Sequence, residues 1–160
     1  MATKKKEIIE GSKAPRFDLP TDSDGRARLA DFAGAPLVLY FYPKDDTSGC
    51  TKEALDFTAA ARSFSRLGAA VVGVSKDSVA KHDKFKTKHA LKVTLASDEE
   101  GEVVEAYGSW VEKTLYGRKY MGIDRSTFLI DGKGVIRKIW RKVRVPGHVE
   151  DVLAALKEIA

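Results

Sequence analysis

The sequence has a single cysteine in 160 residues, and it lacks long hydrophobic runs. One cysteine cannot form an internal disulfide, which excludes a disulfide-stapled fold, so any bridge must reach another molecule. No stretch approaches the roughly 20 uncharged apolar residues of a membrane span, and the basic start is not followed by the apolar core of a signal peptide. These absences predict a cytoplasmic chain with no membrane partner.

Nucleotide and metal motifs are missing as well. The chain has no P-loop and no G-x-G-x-x-G, and His82, His89 and His148 form no close ligand pair. We therefore expect no cofactor and no metal, and we expect the three histidines at exposed helix or turn positions. The net charge of +5 is too small a basic excess to indicate nucleic acid, although the basic residues of 137–144 leave an acidic protein partner open.

Apolar strands and amphipathic helices alternate along the chain. An Asp-Gly turn separates residues 16–19 from residues 26–32, which predicts the two strands of an N-terminal β-hairpin. The run APLVLYFY at 35–42 is apolar throughout, as expected of a central strand covered on both faces. Apolar residues at 50, 54, 57, 61 and 64 then follow one face of a helix over 50–67.

The second half continues this pattern. The predicted elements are a strand at 69–75, a helix at 78–90 with Val79 and Phe85 on its buried side, a short edge strand at 94–97, a hairpin of 126–131 and 134–140, and a last helix at 146–160. This order implies a mixed central sheet flanked by helices. We predict one α/β domain over residues 1–160, similar to the thioredoxin-like fold, with a flexible basic tail at 1–7.

Cys50 lies between a predicted strand and the start of a predicted helix, in FYPKDDTSGCTKEALDF. The thiolate is the nucleophilic form of cysteine, and the free N–H groups of a helix N-terminus favour negative charge. Thr47 can place a hydroxyl beside the sulfur, Gly49 lets the backbone approach a small substrate, and Pro43 would shield the sulfur from water. Singly, each is most often a cap, a turn residue or a strand stop, but together they predict a reactive thiol.

The same segment resembles the peroxidatic motif P-x-x-x-T-x-x-C of the peroxiredoxins, specifically of the bacterioferritin comigratory protein group, also called PrxQ. Further segments resemble that group in its order, from about residue 8 to the end: KAPRFDLPTDSDG, GVSKDSVAKHDKF, YGSWVEKTLYGRKYMGIDRSTFLID and GVIRKIWRKVRVPGH. The resemblance implies a thiol peroxidase that reduces hydrogen peroxide and organic hydroperoxides. It implies that Cys50 is the peroxidatic cysteine, that Pro43 and Thr47 complete its loop, and that Arg125 is the active-site arginine.

The chemistry of these residues agrees with the implied roles. A guanidinium is always charged and offers several donors in a fixed fork, so Arg125 can hold thiolate and peroxide together. Attack on one peroxide oxygen leaves a sulfenic acid on Cys50, and the N–H groups of Gly49 and Cys50 would help to stabilise the developing charge. We expect Glu53 to orient Arg125; the alternative is a first-turn acid favoured by the helix dipole.

Two features depart from the group's pattern. Ser48 stands where the group commonly has proline, and the two places at which many members carry a resolving cysteine hold Leu55 and Lys86. Even a cysteine at 55 would lie beyond disulfide reach of Cys50 in an intact helix. We therefore predict a one-cysteine mechanism in a monomer or weak homodimer. An external thiol resolves the sulfenic acid: thioredoxin, glutaredoxin, glutathione or Cys50 of a second subunit.

Two other functions remain open on the sequence alone. The first is a cysteine hydrolase or transferase that uses Cys50 and His148, although no nucleophile-elbow or protease signature is present. The second is a non-catalytic redox sensor or interaction module on a thioredoxin-like scaffold, because a fold does not determine a function. Formation of a sulfenic acid, rather than an acyl-enzyme or slow oxidation, distinguishes the peroxidase from both.

Overall fold

The computed structural model describes residues 7–160, so most of the predicted tail, residues 1–6, lies outside the described residues. The described chain forms nine strands and five α-helices. The strands are β1 Asp18–Thr21, β2 Gly25–Arg28, β3 Leu37–Phe41, β4 Ala70–Ser75, β5 Thr94–Ser97, β6 Trp110–Leu115, β7 Arg118–Ile123, β8 Ser126–Ile130 and β9 Ile136–Trp140. The helices are α1 Ser48–Ala59, α2 Ala61–Arg66, α3 Val79–His89, α4 Glu102–Ala106 and α5 His148–Ile159.

Seven strands form one mixed sheet in the order β2-β1-β5-β4-β3-β8-β9. Strand β3 runs parallel to β4 and antiparallel to β8, and all five of its residues are buried. The predicted central strand and the predicted α/β fold with an N-terminal hairpin are therefore confirmed. Strand β5, however, is not at an edge, because Thr21 of β1 pairs with Ala96 on its outer side.

Helices cover both faces of the sheet. On the face that holds Cys50, apolar side chains of α1, α2, α3 and α5 form one cluster, including Phe57, Phe64, Phe85 and Leu156. On the opposite face, apolar side chains of α4 and of the sheet strands, including Leu19, Ala27, Val103 and Val104, form the second cluster. Strand β3 contributes to both clusters, which explains its continuously apolar sequence.

Two predicted elements end earlier than expected. The second hairpin strand stops at Arg28, which pairs with the first residue of β1. One further hydrogen bond joins the N–H of Leu29 to the carbonyl of Phe17, and the chain then turns into a 3₁₀-helix at Leu29–Phe32. The long helix predicted over 50–67 is divided at Ala60 into α1 and α2. The predicted apolar face survives this break, since its residues are buried except for the partly exposed Ala61.

Residues 102–123, for which no element was predicted, form α4 and the β6-β7 hairpin. Strands β6 and β7 pair with each other in a sheet of their own. Four large apolar side chains near the hairpin tip are exposed: Leu115, Tyr116, Tyr120 and Met121. With so little of the hairpin buried, its sequence carries little of the apolar alternation that marks a strand.

The prediction of exposed histidines is wrong for two of the three. The His82 ring is fully buried, and its two nitrogens face Asp45 and a backbone carbonyl. His148 is buried at the start of α5, where Nε2 lies 2.8 Å from the Thr127 hydroxyl, and burial lowers the pKa of His148 to about 4. Only His89 is partly exposed. Each buried ring has a polar partner, which is what allows burial.

Candidate active site

Cys50 lies in the first turn of α1, directly beyond the carboxyl end of the buried strand β3. Its side chain points inward and the residue is 2% exposed. The first backbone hydrogen bond of α1 runs from the N–H of Thr51 to the carbonyl of Thr47, so the N–H groups of Ser48, Gly49 and Cys50 precede the intrahelical ladder. The predicted placement of the sulfur at a helix N-terminus therefore agrees with the structure.

Arg125 joins the sulfur to Glu53. The arginine lies between β7 and β8, where its Nη2 is 3.4 Å from Cys50 Sγ and its Nη1 is 2.7 Å from Glu53 Oε1. A Cβ added at Gly49 would lie 3.1 Å from Nη2, so glycine leaves the space that the guanidinium occupies. The structure thus brings together four of the predicted site residues: Cys50, Arg125, Glu53 and Gly49.

Burial dominates the electrostatics of Glu53. The residue is 0% exposed, and its Oε2 has no hydrogen-bond partner. Burial raises the pKa of Glu53 to about 7, against the opposing attraction of Arg125. For Arg125, burial acts to lower the pKa, but the negative charges of Glu53 and Cys50 outweigh it and raise the pKa. The guanidinium therefore stays charged while the carboxyl beside it titrates near neutrality.

Replacing Glu53 with glutamine is expected to flatten the pH dependence of stability. The pKa rises from 4.5 to about 7 on folding, so the folded chain retains a proton that the unfolded chain has released. The free energy of unfolding therefore falls as pH rises through this window, by on the order of 2–3 kcal/mol between about pH 5 and pH 8. The amide of glutamine does not titrate in this range, so the stability of Glu53→Gln lacks this dependence on pH.

Urea unfolding of both proteins across this range measures the effect. His148, with its lowered pKa, gives a slope of opposite sign, since its stability contribution is lost as pH falls. That contribution is present in both proteins, so the difference between wild type and variant isolates Glu53. Curves that run parallel from pH 5 to pH 8 would show that the buried carboxyl does not titrate there.

Thr47 and Pro43 occupy the loop that leads into α1, and both are exposed. The Thr47 hydroxyl donates to the carbonyl of Lys44 at 2.8 Å and makes no hydrogen bond to Cys50 Sγ. Thr47 has the extended backbone of an N-cap residue, but its side chain does not cap α1. With its hydrogen committed to Lys44, the oxygen of Thr47 keeps its lone pairs free to accept a hydrogen bond.

Lys113 of β6, which no sequence pattern indicated, is close enough to the site for the charges of Asp124, Arg125 and Cys50 to act on its pKa. Its aliphatic chain packs on Gly122, with Cδ 3.3 Å from the position that a Cβ would take there. Partial burial lowers the pKa of Lys113, while the negative charges of Asp124 and Cys50 act to raise it. No local motif marks this lysine; only its membership of the segment that resembles the PrxQ group could have indicated it.

The other sequence predictions about this region concern groups that lie apart from the sulfur. Leu55 is 39% exposed on the outer side of α1, and Lys86 pairs with Asp22 at 2.6 Å. His148 bonds to Thr127 and makes no hydrogen bond to Cys50, so the pairing required for a Cys50–His148 hydrolase is not formed. Within residues 7–160, no cluster of three potential metal ligands occurs, and no helix has the length and apolar character needed to cross a membrane.

The fold and this site define a class of protein: a thiol-based redox protein of thioredoxin-like architecture, with its sulfur held at a helix N-terminus against an arginine. A model of the AhpC/TSA family matches residues 11–139. The putative peroxiredoxin bcp of Coxiella burnetii is 51% identical over 93% of this chain and 99% of that protein. The peroxiredoxin Bcp of Bacillus subtilis is 49% identical over 94% of this chain and 96% of that protein.

Solved structures that resemble this chain come from the same group of proteins as these relatives. The bacterioferritin comigratory protein of Xanthomonas campestris, studied for alkyl peroxide reduction, has a TM-score of 0.85 at 43% identity and covers 89% of this chain and 91% of its own. A PrxQ mutant of Xylella fastidiosa has a TM-score of 0.91 at 38% identity, covering 96% and 98%. The chain therefore belongs to the AhpC/TSA family, within the Bcp/PrxQ group of peroxiredoxins. The predicted family is confirmed, and membership implies a peroxide substrate and a thiol reductant.

Proposed function

We propose that this peroxiredoxin reduces hydrogen peroxide and organic hydroperoxides through a sulfenic acid on Cys50, which an external thiol resolves. The observation that carries the proposal is the 3.4 Å contact between Cys50 Sγ and Arg125 Nη2 at the start of α1. A thiolate held there by a cation and by free N–H groups is a ready nucleophile. The sulfur attacks one peroxide oxygen, the O–O bond breaks, and water or an alcohol leaves.

Each neighbouring residue has a role in this proposal. Arg125 holds the thiolate and stabilises the charge that develops on the leaving oxygen. The N–H groups of Gly49 and Cys50 act on the same charge. The Thr47 oxygen accepts a hydrogen bond from the O–H of the peroxide, because its own hydrogen is donated to the Lys44 carbonyl. Pro43 closes the loop around the sulfur, and Glu53 fixes the angle of the guanidinium.

Resolution of the sulfenic acid requires a second molecule. Cys50 is the only cysteine of the chain, so no internal disulfide can form. Thioredoxin, glutaredoxin, glutathione or Cys50 of a second subunit supplies the attacking thiol. Because Cys50 is 2% exposed, a protein thiol reaches its sulfur only after the first turn of α1 has opened. A cytoplasmic setting would supply these reductants, and a monomer or weak homodimer leaves the site open to them.

Counting peroxide equivalents tests this mechanism. Without thiol, the reduced protein should consume about one equivalent of peroxide per chain and then stop, or about half an equivalent if Cys50 of a second subunit resolves the sulfenic acid, because nothing returns the two electrons that the sulfur gives up. Thioredoxin, glutaredoxin and glutathione, supplied separately with their recycling systems, should restart turnover to different extents and so identify the reductant. Continued turnover without any thiol would contradict peroxide reduction through a sulfenic acid on Cys50.

The alternative is a non-catalytic redox sensor on the same scaffold. A sensor would be oxidised at Cys50 but would not turn over with any of the three reductants at a rate above that of free cysteine. The same assay therefore distinguishes the two functions. The contact of the sulfur with Arg125 favours the peroxidase. An arginine at the reacting sulfur can stabilise the charge of the transition state and so accelerate the reaction, which a non-catalytic sensor does not require.

Replacing Thr47 with valine, which has nearly the same shape, is expected to slow peroxide reduction by about tenfold to 100-fold. The substitution removes the acceptor oxygen and the hydrogen bond to Lys44, while the exposed position keeps the loss of stability small. Steady-state kinetics with the identified reductant measure the change. Thr47→Ser, which retains the hydroxyl, is the control and should lose much less. A Thr47→Val variant that reacts at the wild-type rate would contradict the role of the hydroxyl.

A further inference from the structure

Two consecutive aspartates of the loop before α1, Asp45 and Asp46, contact side chains of helix α3. The exposed Asp46 accepts from Lys88 Nζ at 2.7 Å and from His89 Nε2 at 2.9 Å. Asp45 is buried, and its Oδ2 lies 2.6 Å from Nδ1 of His82 on the same helix. Asp45 is two residues from Pro43 and two from Thr47, so it lies in the middle of the segment that leads to the reactive sulfur.

The Asp45–His82 contact is completely enclosed. The His82 ring is 0% exposed, and its second nitrogen, Nε2, lies 3.0 Å from the carbonyl oxygen of Ala96. The other oxygen of Asp45 accepts from the Tyr42 hydroxyl at 2.5 Å. The backbone N–H of Asp45 donates to Asp77 at 2.8 Å. Every polar atom of the Asp45 and His82 side chains therefore has a partner.

This geometry determines how many protons the pair holds. A carbonyl oxygen only accepts, so Nε2 must carry a hydrogen to bond to Ala96. The 2.6 Å contact on the other side of the ring is a hydrogen bond only if a proton also lies between Nδ1 and Oδ2. Without it, two lone pairs would face each other in a buried site. The folded pair thus holds this proton as an imidazolium with a carboxylate, or as a neutral ring with a carboxylic acid.

From this geometry we propose that His82 is a positioning residue for peroxide reduction, acting through Asp45 on the loop that carries Pro43 and Thr47. The proposal rests on the proposed function of Cys50. The side chain of Phe85 is buried in the core and holds helix α3 in place, so His82 has a fixed position. Loss of the contact would let the loop shift against Cys50, and a displacement of about 1 Å in a catalytic arrangement can slow a reaction by about 100-fold.

Lys86 offers a matched control on the same helix. It lies one turn after His82 and also forms an ion pair with a buried aspartate, but its partner, Asp22, belongs to the turn of the N-terminal hairpin. Lys86→Met and His82→Gln both remove a polar side chain of α3 that contacts a buried aspartate. Both are therefore expected to lower the melting temperature, but only His82 contacts the loop before Cys50.

The test measures the rate of Cys50 sulfenate formation after one equivalent of peroxide, by rapid quench and dimedone trapping. We expect His82→Gln to be slower than wild type by about tenfold to 100-fold, and Lys86→Met to stay within about twofold. Hydrogen exchange at the Asp45 amide should be faster in His82→Gln alone. A folded His82→Gln that reacts at the wild-type rate would overturn the positioning role. Absence of sulfenate in the wild type would instead overturn the proposed function.

A second measurement needs no variant and holds even if His82→Gln does not fold. Proton and nitrogen NMR of the wild-type His82 ring should show the hydrogen on Nε2 together with a second, strongly deshielded proton in the Nδ1–Oδ2 bond. A spectrum with a single proton on the His82–Asp45 pair would overturn the proton count, because one of the two contacts of the ring would then have no hydrogen.

Discussion

Replacing Cys50 with serine is expected to abolish thiol-dependent peroxide reduction while leaving the fold intact. Serine has nearly the shape of cysteine and can still receive hydrogen bonds from Arg125 and from the helix N-terminus. Its oxygen, however, cannot be oxidised by peroxide, and the chain has no other cysteine to take over the reaction. Turnover should therefore fall below detection, the largest effect that we expect from any single substitution.

The fold should tolerate this substitution, because it exchanges one small buried group for another. Burying the serine hydroxyl beside Arg125 costs about 1 kcal/mol, since the guanidinium remains available as a hydrogen-bond donor. Leu55→Ser, on the exposed side of the same helix, is the control and should keep full activity. Peroxide consumption and thermal unfolding of the three proteins measure the effect. Activity in Cys50→Ser above the rate without protein would contradict the assignment of the reacting sulfur.

Replacing Arg125 with methionine is expected to slow sulfenate formation by about 100-fold to 1,000-fold. Methionine approximates the length and apolar body of arginine but provides neither the charge nor the donors that contact Cys50 and Glu53. The thiolate and the leaving oxygen both lose a cation, so the loss falls on the reaction step. Rapid-mixing kinetics of Cys50 oxidation, with peroxide in excess, measure this step without the reductant.

Loss of stability must be separated from loss of rate in this variant. Without Arg125, Glu53 would be a buried carboxyl with no ionic partner, which is costly unless it takes up a proton. The double variant Arg125→Met with Glu53→Gln removes that buried charge. We expect the double variant to recover stability relative to Arg125→Met but to remain as slow. Recovery of the rate together with the stability would show that Arg125 acts only by balancing Glu53.

Local sequence signals predicted the parts of the fold that repeat a simple pattern. Strand β3 is apolar because helices cover both of its faces, and the buried side of α1 follows its four-and-three spacing. The position of Cys50 followed from the order of strand, loop and helix. The contact of Arg125 with Glu53, 72 residues apart, was expected because the resemblance to the PrxQ group supplied the arginine.

Contacts between distant segments without a motif were not predictable. The buried pair of His82 and Asp45 joins residues 37 positions apart, and neither neighbourhood differs from an exposed, charged helix or turn. The β6-β7 hairpin brings Lys113 within reach of the charges of Asp124 and Cys50, but its strands pair with each other and bury little, so the apolar pattern is weak. In both cases tertiary packing determines the environment, and local sequence does not encode it.

The most direct test of the account is the intact mass of the reduced protein after brief exposure to one equivalent of peroxide without thiol. We predict the rapid addition of a single oxygen atom, located on Cys50. Dimedone should trap the resulting sulfenic acid in one sample, and a thiol reductant should remove the oxygen in another. Cys50 that is oxidised no faster than free cysteine in the folded protein would contradict the account, because the helix N-terminus and Arg125 would then give the sulfur no reactivity toward peroxide.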